Sequence, residues 1–147
     1  MKKDFELLPH TADLKIRVYG STLQELFRHA LFGMFQSIGP RSKICEKKGD
    51  RMYCKQLPQH HDIEVHAPDY DALLVDFLSE ALSLSDIYNE AYLDATLHEL
   101  DQHHLKATIH GVPIEGFEVV EIKAVTHHDI SIKQINGVWQ TEIVFDI

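Results

Sequence analysis

The sequence predicts an α+β fold of two layers: a mixed, mainly antiparallel β-sheet with two helices packed on one face. Three observations carry that prediction. Apolar residues recur at helical spacing in two stretches, around residues 23–37 and 71–83. Runs that alternate apolar and polar residues, the period of a half-buried strand, precede, separate and follow those stretches. From Leu93 onward the periodic runs all read as strand, and strands gathered after helices favour segregated layers over a parallel α/β sheet.

Taken in order, Leu14-Lys15-Ile16-Arg17-Val18-Tyr19 alternates and Gly20 closes the run. Thr22 with Glu25 makes a capping-box pattern. Leu23, Leu26, Phe27, Ala30, Leu31 and Met34 then form one stripe of a helix expected over Leu23–Ser37, which Gly39-Pro40 stops. Residues 41–60 are polar, and Lys47-Lys48-Gly49-Asp50 reads as a hairpin turn. His61 to His66 alternates again. Asp69 or Asp71 caps a second helix, Asp71–Ser83, with Leu73, Leu74, Phe77, Leu78, Ala81 and Leu82 on its core face. Ser85-Asp86 is expected to restart a short turn carrying Ile87 and Tyr88. Leu93, Ala95 and Leu97 alternate, as do Leu105, Ala107 and Ile109 up to Gly111. A loop with Pro113 and Gly116 follows. Ile130-Ser131-Ile132 and Val138 to Phe145 flank Asn136-Gly137, a two-residue hairpin signal.

A chain of 147 residues suits a single domain, 1–147, and at this size folding buries about 70% of the extended surface. Its 14 basic and 23 acidic residues, net −9, exclude a broad nucleic-acid surface. They leave room for a local basic patch or a cationic protein partner. No apolar run approaches ~18 residues, and Met1-Lys2-Lys3-Asp4-Phe5-Glu6 returns to charge at once. Neither a membrane span nor a secretory leader is therefore expected, and the predicted location is cytoplasmic. Cys45 and Cys54 are expected to be two thiols in a reducing compartment rather than a disulfide.

The eleven histidines include His60-His61, His103-His104 and His127-His128. Adjacent residues on a strand point to opposite faces, so such pairs do not chelate one ion. No His-Glu-x-x-His or paired Cys-x-x-Cys frame is present. Most of these histidines are expected to be solvated or hydrogen-bonded at the surface. There is no Gly-x-Ser-x-Gly elbow and no glycine-rich phosphate loop. Asp76, Glu80 and Asp86 read as the solvated face of the second helix.

Two isolated acids stand out. Asp13 ends Pro9-His10-Thr11-Ala12-Asp13, just before the first alternating run, and Asp146 ends the last one, followed by Ile147. Alone, each reads as a turn residue or a solvated chain end. If the first and last alternating strands meet, the two side chains and the terminal carboxylate converge. Three hard anionic oxygens in one place need a cation.

These segments together resemble the archease family. His10-Thr11-Ala12-Asp13 is similar to its N-terminal motif, followed by an alternating strand, a glycine and a helix of the type Leu23-Gln24-Glu25-Leu26-Phe27. Leu73 to Leu78 resembles its second helix. Lys123-Ala124-Val125-Thr126-His127-His128 resembles its Lys-x-x-Thr-aromatic-His segment, with His127 at the aromatic position. Val144-Phe145-Asp146-Ile147 resembles its C-terminus.

The resemblance implies a small protein, not itself an enzyme, that activates a GTP-dependent tRNA-splicing RNA ligase by promoting ligase guanylylation and multiple turnover. It implies a metal site of Asp13, Asp146 and the Ile147 carboxylate. It puts the family's functional lysine at Lys123, with His10 and Thr126 as further contacts to partner or nucleotide. Oxygen-only donors suit Ca²⁺ best, with Mg²⁺ or Mn²⁺ as alternatives. The implied partner is the ligase itself, with RNA contact indirect or weak and no membrane. A second reading is a metal-dependent hydrolase acting on phosphoesters or RNA through the same acids, with His10 or His128 as general base. A third is a structural cation clip joining the terminal strands.

Overall fold

A computed structural model describes residues 3–9 and 12–147. The elements in chain order are β1 (Phe5–Leu8), β2 (Leu14–Gly20), α1 (Leu23–Ser37), β3 (Pro40–Arg41), β4 (Cys45–Lys48), β5 (Arg51–Cys54), β6 (Gln59–His66), α2 (Tyr70–Tyr88), β7 (Glu90–Leu100), β8 (His104–Pro113), β9 (Gly116–Phe117), β10 (Ala124–Val125), β11 (Lys133–Ile135) and β12 (Val138–Asp146). Every pairing among the described strands is antiparallel.

The strands form two main sheets where the sequence suggested one. The first runs β1-β2-β12-β10 with β11 also on β12, and the second runs β6-β8-β7. Two-stranded ribbons β3-β9 and β4-β5 complete the set. The division follows from α1, which packs against β2 of the first sheet and β7 of the second. Beyond the expected stripe it also buries Gly33, Phe35 and Gln36, which widens the covered surface enough to serve two sheet faces. Helix α2 lies against β6, β7, β8 and β10. The buried side chains of both sheets and both helices join in one continuous apolar cluster. No helix among the described residues is long and apolar enough to cross a membrane.

Helix α1 has the bounds its periodicity predicts. The Thr22 hydroxyl accepts from Glu25 N at 3.0 Å, and Glu25 reaches back to Ser21 N at 2.9 Å. Helix α2 starts at an Asp69 cap, whose carboxylate accepts from Ala72 N at 2.8 Å. It runs unbroken to Tyr88, beyond the expected stop at Ser83. No glycine or proline interrupts residues 83–88, Ser85 faces the core, and the helix ends only where Asn89 takes a left-handed φ of 54°. Ile130-Ser131-Ile132 is not a strand. Ser131 N donates to Thr141 Oγ1 at 3.1 Å and Ile132 N to Asp71 Oδ1 at 3.0 Å, so side chains take the amides a ladder would need. The neighbouring hairpin turns at Asn136 and Gly137, with φ of 52° and 79°, as the Asn-Gly pair predicts.

The expectation of two free thiols is corrected: Cys45 and Cys54 form a disulfide. The turn at Gly49-Asp50 pairs Lys48 with Arg51, and counting outward places Cys45 directly opposite Cys54, with Cα atoms 4.4 Å apart. That is the close, non-hydrogen-bonded pairing of an antiparallel ladder, within bridging distance. Chain-entropy arguments for so short a loop give about 2–3 kcal/mol. Reduction, or Cys54→Ser, is expected to lower the melting temperature by roughly 4–10 °C in calorimetry. An unchanged melting temperature on reduction would show that the bridge constrains nothing.

Candidate metal centre

Strands β2 and β12 pair from Trp139↔Gly20 to Phe145↔Leu14. Asp13 and Asp146 are the next residues past the last of these pairs, so both acids stand at the same end of adjacent strands. The alternation also settles their face. Ile16, Val18, Ile143 and Phe145 are buried inward, while Lys15, Arg17 and Glu142 meet on the outer face. Continued one residue past the Phe145↔Leu14 pair, that period puts Asp13 and Asp146 on the outer face together. Asp146 is exposed and Asp13 half-buried. The side chain of Ile147 packs against the core, so apolar residues on either side of Asp146 pin the last turn of the ladder.

A third strand fastens the other flank. Ala124 pairs with Asp146 and Val125 with Phe145. Lys123 N donates to Asp146 O at 2.7 Å. Thr126 donates to Val144 O twice, from N at 3.1 Å and from Oγ1 at 2.9 Å. Thr126 Oγ1 also accepts from His128 N at 3.2 Å, so this hydroxyl fastens β10 to β12. The exposed Lys123 lines a cleft of about 360 Å³ with Ile38, Asp86 and Glu121. Asp146 therefore has Asp13, one residue before β2, on one flank and Ala124 of β10 on the other, while Lys123, one residue before β10, reaches it through its backbone amide and turns its side chain to the α2 cleft. His127 is exposed, and His10 lies outside the described residues.

Asp13 and Asp146 offer oxygen donors only, which fits a hard divalent cation. Among the described residues no third His, Cys, Asp or Glu side chain joins them in a compact donor set. An ion held there needs backbone or terminal oxygens, water or groups from a partner to reach the 6–8 oxygens of Ca²⁺.

Next to the tip the outer face carries an ion network. Lys15 Nζ lies 3.0 Å from Glu142 Oε1 and 3.1 Å from Asp129 Oδ2. Arg17 Nε donates to Glu142 Oε2 at 3.0 Å, and Tyr19 donates to Glu6 Oε1 at 2.6 Å. Hydrogen bonds from Arg17, then Lys15, hold the Glu142 carboxyl below its ordinary value of 4.5. Burial pushes the Asp4 carboxyl up, but the two-pronged hydrogen bond from Arg51 at 2.9 Å and the amide of Phe5 outweigh it and hold it below 3.8. Carboxyls lowered in the fold stabilise it fully above their unfolded values and lose that contribution as pH falls through the folded ones. Stability is thus expected to decline below about pH 4.5. Glu142→Gln should flatten that acid limb in urea titrations read at successive pH values; an unaltered limb would remove the network from the account.

Two other polar groupings lie outside the expected site residues. Glu90, buried, accepts from Tyr92 OH at 2.7 Å and lies 2.7 Å from His61 Nε2, while His61 stacks on Tyr88. Glu64, His66 and His104 meet on the outer face of the second sheet. The spacing Glu64-x-His66 on an alternating strand was a usable signal, because it puts both side chains on one face. His104 joins them through the β6–β8 register alone.

Fold and tip together define a small α+β protein whose first long strand and last strand pair to bring two acids to one end. The model of the Archease protein family matches residues 5–147, and the chain belongs to that family. It is 33% identical over 153 residues to protein archease of Methanosarcina barkeri, covering 99% of this chain and 97% of the relative. It is also 33% identical to protein archease of Pyrococcus furiosus, covering 99% of each. The solution structure of Methanobacterium thermoautotrophicum protein 1598 superposes with a TM-score of 0.70 at 29% identity, covering 97% of this chain and 98% of that one. The crystal structure of an archease from Thermotoga maritima, described as a possible chaperone, shares the fold with a TM-score of 0.61 at 19% identity, covering 100% of this chain and 98% of that one.

Proposed function

We propose that this protein is a non-enzymatic, metal-bearing activator of a GTP-dependent tRNA-splicing RNA ligase, promoting ligase guanylylation and repeated turnover. Asp13, Asp146 and the Ile147 carboxylate hold a divalent cation, Ca²⁺ in preference to Mg²⁺ or Mn²⁺, at a tip that docks against the ligase. The observation that carries this reading is the alignment of Asp13 with Asp146 at one end and on one face of the β2–β12 pair. An incompletely filled coordination shell at a protein edge suits a protein that works on another protein's active site. The net charge of −9 suits a partner made basic by binding RNA, with RNA contact by this chain indirect.

The test is ligase guanylylation and multiple-turnover joining with and without this protein, alongside incubation of this protein alone with RNA, nucleotides and phosphoesters plus divalent ions. Stimulation in the first and no turnover in the second are expected. Turnover without ligase would favour the hydrolase reading. Retained stimulation by folded variants lacking both acids would reduce the ion to a structural clip.

Lys123, just before β10, supplies a cation one residue from the partner of Asp146, for a ligase carboxylate or a nucleotide phosphate. A charge-assisted hydrogen bond is worth about 1.5–3 kcal/mol, so Lys123→Ala is expected to weaken stimulation roughly 10- to 100-fold. Its Ca²⁺ affinity by calorimetry should stay within a few-fold of wild type. Equal losses in both measurements would place Lys123 in the ion site instead.

A further inference from the structure

We propose a second metal site, distinct from the acidic tip, in which Glu64, His66 and His104 bind a borderline divalent ion of the zinc class. Glu64 and His66 lie two residues apart on β6 and share its outer face, and His104 stands directly opposite His66 on β8. One donor atom from each lies within 4.8 Å of the other two. Glu64 Oε2 is 2.6 Å from His104 Nε2 and 3.8 Å from His66 Nε2. Tetrahedral ligands at about 2.1 Å from one ion are about 3.4 Å apart. Small rotations therefore suffice, and the side chains of His66 and Glu64 are 72% and 50% exposed and free to make them.

The donor chemistry selects the ion. Two imidazole nitrogens and one carboxylate suit Zn²⁺, Co²⁺ or Ni²⁺, whereas Ca²⁺ prefers oxygen alone. The site also has an orienting partner. Glu99 Oε2, on β7, lies 3.2 Å from His104 Nδ1, the nitrogen turned away from Glu64. A carboxylate on the far nitrogen fixes the ring and leaves Nε2 to the ion. Glu64 and Glu99 outweigh Lys106, which stands opposite both in the sheet register. Three protein donors leave a fourth tetrahedral position open at the surface, for water or a donor from another molecule. Neither member of an adjacent His-His pair has to share the ion with the other, since His103 takes no part.

The test is calorimetric titration of the full chain with zinc chloride, comparing wild type with His66→Ala, His104→Ala, Glu99→Gln, the control His98→Ala, and the double variant Asp13→Ala/Asp146→Ala. One zinc ion is expected in wild type, in the control and in the tip variant. His66→Ala and His104→Ala should each lose at least ten-fold in affinity, and Glu99→Gln roughly 10- to 100-fold. A hundred-fold excess of Ca²⁺ should not displace the zinc. Wild-type isotherms in both histidine variants, no zinc uptake by wild type, or displacement by Ca²⁺ would each overturn the proposal. None of these readouts involves the ligase, so the result stands apart from the activator role.

Discussion

Asp146→Ala is expected to abolish cation-dependent stimulation of the ligase while leaving the fold intact. The side chain is exposed, and surface changes of this kind usually stay within about 0.5 kcal/mol. In the proposed role, however, it is one of few protein donors to the ion. Altering only a group that orients a ligand costs roughly 10- to 100-fold in metal affinity, so removing a ligand should cost about 100-fold or more. Asp13→Ala should do the same from the neighbouring strand. Because both act on one ion, the double variant should stimulate no less than either single variant, the non-additivity of residues that share a partner. Adding two residues after Ile147 converts its carboxylate into an amide and should give the same loss. The measurements are guanylylation rate against Ca²⁺ concentration, with thermal melts to confirm folding. Additive losses from Asp13 and Asp146 would mean that the two acids act separately.

The second large effect is on stability. Phe145 is fully buried, pairs with Leu14 on one side and Val125 on the other, and immediately precedes Asp146. It is the apolar floor beneath the tip. Phe145→Ala should cost about 3–5 kcal/mol through lost burial and the cavity left behind. In a chain of this size that lowers the melting temperature by on the order of 10 °C. Phe145→Leu should cost less than about 1.5 kcal/mol, because most of the volume is kept. Below its melting point Phe145→Ala should also bind Ca²⁺ more weakly, since the ladder end that aligns the acids has lost its support. A destabilised variant with wild-type ion affinity would uncouple the tip from the core beneath it.

Much of this architecture could be read from residue patterns. The α1 stripe and its Thr22/Glu25 box mark the helix to the residue, and the Asn136-Gly137 turn marks its hairpin. Ile143-Val144-Phe145 is apolar throughout, so the pattern alone leaves open whether Asp13 and Asp146 share a face; the β2–β12 register decides it. What could not be read is of two kinds. Some features need a register: α1 serving two sheets, or His104 meeting Glu64 and His66 across β8, leaves no local trace. Others were legible but outweighed. A turn at Gly49-Asp50 implies that Cys45 faces Cys54, yet the expectation of a reducing compartment favoured thiols. The short β1 hid behind the charges of Lys2, Lys3, Asp4 and Glu6, and Ile130 to Ile132 has strand composition but gives its amides to Thr141 and Asp71. Side-chain competition of that sort is invisible to periodicity.

In the proposed site one cation bridges Asp13 and Asp146 at the shared end of the β2–β12 pair. Crystals soaked in Mn²⁺ and in Ca²⁺, with anomalous difference maps, test it most directly. One peak is expected within about 2.0–2.6 Å of carboxylate oxygens of both Asp13 and Asp146. A map with no peak there, or with an ion touching only one of the two acids, would contradict it.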